Sequence, residues 1–255
     1  MISKRTVVVL ALVLVACAAV VAVAGQLVGR QALAQPGTTV GGPQGVGPGH
    51  STIPVAPALP AAQGIVLFSD DFNSAKDKST PSGWQLLPNY PGSWVAFQGR
   101  LEQWGDADRE TSDAPTVLVA NNSNLADGIF ETQVFPMSGE SVGVVFRGSD
   151  AGYYRLSLFP NLPNHSAKAL LDRVASDGTA AALGTNSTWK GFEFAQWQRI
   201  EVRATGGHLV VSADGTQLFD VNDAGLSSGW VGVWSVADRG SAFDNVRVQR
   251  DAAGR

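Results

Sequence analysis

The chain of 255 residues holds a single cysteine, Cys17, and it lies in an N-terminal apolar run. The rest of the chain therefore cannot be stapled by a disulfide and cannot build a cysteine-based metal site. If that remainder is exported, core burial alone must hold it together. Histidine is almost as scarce. His50, His165 and His208 are widely separated, suggest neither a catalytic triad nor a zinc site, and read as surface or turn residues. Charge is sparse and nearly balanced, with 18 Lys and Arg against 22 Asp and Glu and a net charge of −4. No basic block or stripe is present, which argues against nucleic acid as a partner. No internal repeat is visible. The sequons at Asn121, Asn164 and Asn186 are short enough to arise by chance.

Long apolar runs are also missing, with one exception. Lys4 and Arg5 precede an uncharged stretch from Thr6 to Gly25, and roughly 20 such residues suffice to span a bilayer. The basic pair favours a cytoplasmic N-terminus and an external remainder. Three readings stay open. Residues 1–34 form an uncleaved membrane anchor over 6–25, or a signal peptide cut after Ala32-Leu33-Ala34, or a lipoprotein leader in which Leu14-Val15-Ala16-Cys17 serves as a lipobox. Each puts the remainder of the chain outside the cytoplasm, at the cell surface or secreted. Residues 35–62 recur in Pro and Gly, carry no charge and read as a spacer, which as a coil would reach about 30 Å.

The rest, residues 63–250 with a short tail over 251–255, is patterned for strands. GYYRLSL (Gly152–Leu158), WQRIEVRA (Trp197–Ala204), GHLVVSADG (Gly207–Gly215) and GWVGVWS (Gly229–Ser235) alternate apolar and polar residues and are parted by turn residues. Asp177-Gly178 and Thr205-Gly206-Gly207 are hairpin signals. About fourteen strands and no helix are expected, and a two-sheet antiparallel sandwich with a jelly-roll path is the economical way to bury them.

Alternation also sorts faces. Tyr154, Leu156, Ile200, Val202, Val231 and Val233 read as core. On the opposite faces stand Glu131, Gln133, Arg147, Tyr153 and Arg155, which one sheet surface could display together with one or both of Trp230 and Trp234. Aromatic faces beside planar hydrogen-bonding groups suit sugar rings, which have apolar C–H faces and hydroxyl edges. The competing reading makes both tryptophans core residues and pairs the arginines with carboxylates across strands.

The order Asp70-Asp71-Phe72, then Phe146-Arg147-Gly148-Ser149-Asp150-Ala151-Gly152-Tyr153-Tyr154-Arg155-Leu156, Trp197–Val202, Asp214-Gly215, Gly229–Trp234 and Phe243–Val248 resembles the concanavalin A-like lectin/glucanase superfamily, in its laminin-G-like and DUF1080-type jelly rolls. The resemblance covers residues 64–250. It implies an all-β jelly-roll sandwich and a choice among lectins, hydrolases and spacers. Retaining hydrolases of the superfamily carry a Glu-x-Asp-x-x-Glu run on one strand. This chain has none, since the strand at 128–135 carries only Glu131 and that at 197–204 only Glu201. The resemblance further implies a structural Ca²⁺ shared by Asp244 near the last strand and Asp70 or Asp71 near the first. The expected function is a non-catalytic, extracytoplasmic module binding carbohydrate or a cell-envelope partner. The alternatives are an accessory subunit docking on a membrane or surface protein and a glycan-processing hydrolase.

Overall fold

Strand formation follows the alternation closely. The computed structural model describes residues 53–88, 90, 92–104, 115–162, 166, 168–236 and 241–250, so the apolar segment at 6–25 lies outside the described residues. Among these the strands are, in chain order, β1 (Ile65–Asp70), β2 (Trp84–Leu86), β3 (Trp94–Ala96), β4 (Leu101–Gln103), β5 (Pro115–Ala120), β6 (Gly128–Pro136), β7 (Val142–Ser149) and β8 (Gly152–Leu158). They continue with β9 (Ala169–Ala175), β10 (Ala180–Asn186), β11 (Gln198–Thr205), β12 (His208–Ala213), β13 (Thr216–Asn222), β14 (Trp230–Val236) and β15 (Ser241–Arg250). No helix occurs among the described residues.

The strands form two antiparallel sheets. One runs β13-β12-β11-β6-β15-β4-β3, with β1 added on β15, and the other runs β10-β9-β8-β7-β14-β5-β2. Neighbours in sequence often part company between the sheets, as a jelly-roll path requires. Inner faces supply the core. Phe130 and Val134 of β6, Val144 and Phe146 of β7, and Tyr154, Leu156 and Leu158 of β8 meet there. Ile200 and Val202 of β11 and Val231 and Val233 of β14 join them, as alternation indicates. Burying each large apolar side chain stabilises by about 1.5–3 kcal/mol. Trp94 is buried in this core, and its indole N–H is satisfied by donating to Thr116 Oγ1 at 2.8 Å.

Two of the register shifts in the sheets bear on the residues singled out above. In β7 the register against β8 shifts between Phe146 and Ser149, and Arg147 takes a left-handed conformation with φ 50°. In β15 the register against β6 shifts between Asp244 and Arg247, where Asn245 has φ 54°. An extra residue at such a point reverses which face the following side chains occupy.

The described part of the Pro-rich tract, residues 53–63, forms no strand but is not detached. Ile53 packs with Phe135 and Ala242 beside Trp197 and Met137. The Trp197 indole donates to the Pro54 carbonyl at 2.7 Å, Asn245 Nδ2 to the Pro57 carbonyl at 3.4 Å and Arg247 Nη2 to the Pro60 carbonyl at 2.8 Å. The Gln63 amide then donates to Gln249 Oε1 at 2.9 Å. The three bonded prolines are three apart, the repeat of a polyproline II helix. Proline has no N–H to offer, so the sheet holds this strap through its carbonyls.

Candidate functional site

The seven side chains that alternation groups together are divided by the fold. Glu131 and Gln133 sit on β6 in the eight-stranded sheet, while Arg147, Tyr153, Arg155, Trp230 and Trp234 belong to β7, β8 and β14 of the other. Period-two parity assigns a residue to a face but not to a sheet. On its own sheet Glu131 lies opposite Arg247 and next to Arg199. One carboxylate oxygen accepts from Arg199 Nη2 at 2.6 Å, and the other from Arg247 Nη2 at 2.6 Å and Gln249 Nε2 at 3.0 Å. Glu201 continues the ladder between Arg199 and Arg203. Gln133 Oε1 accepts from Asn245 Nδ2 at 2.6 Å. These groups are satisfied by one another, and Asn245 and Arg247 carry the strap.

Arg147 departs further from its expected place. The left-handed turn at its Cα swings the side chain inward, and it is 0 % exposed. Its guanidinium donates to the carbonyls of Gly206 at 2.7 Å, Ala126 at 2.8 Å and Leu226 at 3.2 Å. Burial lowers its pKa below the ordinary arginine value, with Tyr154 and Asp127 partly compensating. Arg147 is a clasp for three loops at one end of the sandwich and displays nothing to a ligand.

The remaining four residues do share one surface, the outer face of the seven-stranded sheet. Arg155 of β8 pairs directly across to Asp172 of β9, with Nη2 donating to Oδ2 at 2.8 Å. Its guanidinium carbon stands 5.4 Å over the Trp234 ring, and the Trp234 indole donates to the Leu156 carbonyl at 2.7 Å. Trp234 is therefore buried in the sheet's own outer apolar strip with Val117, Val119, Val145 and Val174. The cross-strand reading holds for Arg155 and the buried reading for Trp234.

Trp230 is different. It opens β14 opposite Gly148, and its ring lies flat on that residue: a Cβ added to Gly148 would come within 2.3 Å of three ring atoms. Only glycine admits this close approach. Tyr153 packs against the ring at 5.8 Å between centroids, and Tyr90 meets Tyr153 edge-on at 6.4 Å. The Tyr153 hydroxyl donates to Tyr90 Oη at 2.8 Å, and burial raises the Tyr153 pKa well above the ordinary tyrosine value. These rings line a cleft of about 460 Å³ together with Leu87, Pro88, Ser149, Asp150, Ser176 and Asp177. Its position follows from topology. The β7–β8 and β9–β10 turns and the start of β14 fall at the same end of the sheet, since Gly152 pairs with Ala175 and Trp230 with Gly148. Tyr90, Asp150 and Asp177 join the site without standing on a strand, so face alternation does not select them. For Asp150 and Asp177 the signal that could find them is the pair of turns Ser149-Asp150-Ala151-Gly152 and Ser176-Asp177-Gly178, which close the hairpins β7–β8 and β9–β10; Tyr90 carries no such signal.

Asp70, Asp71 and Asp244 are drawn near one another, as the resemblance implies. The Asp244 carboxyl is pushed up to about 6 chiefly by burial, with further contributions from Asp71 and Asp70. Part of this donor set is already engaged by the protein. Asp70 accepts from the Phe72 amide at 2.8 Å through one oxygen and from the Trp84 indole at 2.8 Å through the other. Asp71 accepts from the Asn73 amide at 3.1 Å. Among the described residues no group of three His, Cys, Asp or Glu is placed to hold a metal.

The raised Asp244 pKa makes stability depend on pH. Below about pH 3.8 both folded and unfolded chains hold the proton. As pH rises towards 6 the unfolded chain releases it first, so stability falls through that window. Above it the full penalty stands, about 2–3 kcal/mol for two pKa units. Asp244→Asn is expected to be more stable than the parent at neutral pH, with the difference gone by about pH 4. Urea titrations in EDTA across this range measure it. A difference that is independent of pH would contradict the assignment.

Neither a family model nor a curated protein matches this sequence. Solved structures match in fold. The carbohydrate-binding module CBM66 from Bacillus subtilis aligns at 16% identity and TM-score 0.52, over 66% of this chain and 95% of its own. A GlcNAcα1-4Gal-releasing endo-β-galactosidase from Clostridium perfringens aligns at 12% and 0.57, over 80% of this chain and 66% of its own. A Bacillus subtilis protein with a galectin-like fold aligns at 14% and 0.54, over 74% and 97%. At such identities the likeness is one of fold, a jelly-roll sandwich shared by binding modules and hydrolases.

Proposed function

We propose that this jelly roll is a non-catalytic carbohydrate-binding module, with the Trp230 cleft as its site. The observation that carries the reading is the Trp230 ring seated on Gly148, with Tyr153 and Tyr90 beside it and Ser149, Asp150, Ser176 and Asp177 around the opening. A flat apolar platform edged by hydroxyl and carboxylate acceptors matches the two chemistries of a pyranose, its C–H face and its hydroxyl rim. The cleft volume falls in the range of small-ligand sites, about 300–1,000 Å³. Fold likeness to a carbohydrate-binding module and a galectin-like protein supports the same reading.

A non-catalytic role is favoured by where the strand carboxylates go. Glu131 and Glu201 are engaged by arginines on the other sheet, and Asp172 by Arg155. The cleft carboxylates stand on turns, and one of them, Asp177, accepts from the Thr179 amide. A docking role would call for a broad apolar patch. The exposed large apolar side chains among the described residues are a short run on β1, Ile65, Val66 and Leu67, and the separate Val55, Leu86 and Phe194. In this reading the N-terminal segment places the module outside the cytoplasm, and calcium is not required.

A glycan array probed with the full chain tests the proposal, followed by calorimetry on whatever binds. Trp230→Ala is expected to weaken binding by about 2 kcal/mol, near 30-fold, with the fold intact. Gly148→Ala is expected to weaken it similarly by lifting the ring off its seat. Binding that survives both variants would remove the cleft from consideration. Absence of binding to any glycan would end the carbohydrate reading.

A further inference from the structure

We propose that the cleft selects saccharides carrying a free amine, protonated at neutral pH, over neutral or acidic ones. This rests on the carbohydrate reading above and names the ligand class of the same site.

The charge of the cleft points one way. Asp150 and Asp177 line it, and no Lys, Arg or His is found among the described residues that do. The nearby arginine on the same face, Arg155, is committed to Asp172 and stacked over Trp234. The Thr179 amide, donating at 2.8 Å, holds the Asp177 carboxyl below the usual carboxylate range, so it is ionised at the neutral and mildly acidic pH where the amine carries its proton. A uronic or sialic acid would meet two like charges here, with no cation among the described lining residues to answer them.

The aromatic wall adds a second, independent preference. Tyr90, Tyr153 and Trp230 converge on the cleft, and aromatic faces carry negative charge density that attracts ammonium groups. Neutral sugars gain from stacking and from hydroxyl hydrogen bonds to the carboxylates. An amino sugar gains these and adds both Coulombic and cation–π attraction. At a half-open site the increment is expected to be about 10-fold in affinity.

The probes are a β-1,4-linked glucosamine tetramer, its fully N-acetylated counterpart and the corresponding glucose tetramer, titrated into the full chain by calorimetry at about pH 6, where the amine is charged. The glucosamine tetramer is expected to bind about 10-fold more tightly than either neutral one, with the preference shrinking as salt is raised. In Asp150→Asn/Asp177→Asn, which keeps side-chain size and an acceptor for the Thr179 amide, the preference for the glucosamine tetramer is expected to fall to the about 2–5-fold that the aromatic wall alone supplies, and to lose most of its salt dependence. Equal or weaker binding of the amine overturns this proposal and leaves the carbohydrate reading standing. A preference that persists unchanged in the double variant overturns its assignment to these carboxylates. Failure of all three probes, together with a blank glycan array, overturns both.

Discussion

Arg147→Met is expected to destabilise the domain by about 3–5 kcal/mol, a fall in melting temperature of about 10–15 °C at this size. Methionine replaces the volume of the side chain and none of its donors. The carbonyls of Gly206, Ala126 and Leu226, now bonded at 2.7, 2.8 and 3.2 Å, would lose their partner at once. Each stranded buried acceptor costs about 1–3 kcal/mol. Relief of the burial that already depresses the Arg147 pKa offsets part of this. Arg147→Lys is expected to recover less than half, because one ammonium cannot serve three acceptors that a planar fork reaches together. Chemical denaturation gives the magnitude. Hydrogen exchange is expected to rise first in the loops at 121–127, 205–207 and 223–229, ahead of the β6–β15 ladder. A Met variant within about 1 kcal/mol of the parent would show that these loops hold themselves.

Glu131→Ala carries an effect of similar size for a different reason. Glu131 is 1 % exposed and answers two guanidinium groups, from Arg199 and Arg247, with Gln249 as a third donor. Without it two cations face each other, with Glu201 left to balance Arg199 and Arg203. Breaking a buried pair from one side costs about 3–5 kcal/mol, since a charge is left behind. Glu131→Gln keeps the shape and loses the charge, and is expected to cost less. Glu131→Ala/Arg247→Ala is expected to fall short of the summed single costs by at least about 1 kcal/mol, because the second change removes the stranded cation. Strict additivity would mean that the ladder has no energetic coupling. Arg247 also holds Pro60, so Arg247→Ala alone is expected to open residues 53–63 to proteolysis while the sheets persist.

The two-sheet architecture was readable because alternation is a local property. The core residues Tyr154, Leu156, Ile200, Val202, Val231 and Val233 stand where parity puts them. The candidate site was harder, for three physical reasons. Glu131 and Tyr153 have the same parity but sit on different sheets, and strand order depends on contacts between residues far apart in sequence. Arg147 reverses direction at a bulge, and a left-handed arginine leaves no mark in a hydropathy pattern. Tyr90, Asp150 and Asp177 lie on loops and turns, which alternation does not score. The strap illustrates a further limit. Its composition reads as spacer, and its docking depends on the donors Trp197, Asn245 and Arg247, which lie more than a hundred residues downstream.

That strap also decides the path of mechanical load. A pull arriving from the N-terminal side meets Ile53 packed on Phe135 and Ala242 first, then the Trp197–Pro54 contact, then Asn245–Pro57, then Arg247–Pro60 and Gln63–Gln249. Only after these does it reach β1 and its ladder with β15. The donors are separate side chains, so the contacts yield one at a time and each release lengthens the chain a little. Tension on the chain N-terminal to the strap would be taken up by this series of proline carbonyls before any strand of the sandwich is asked to part.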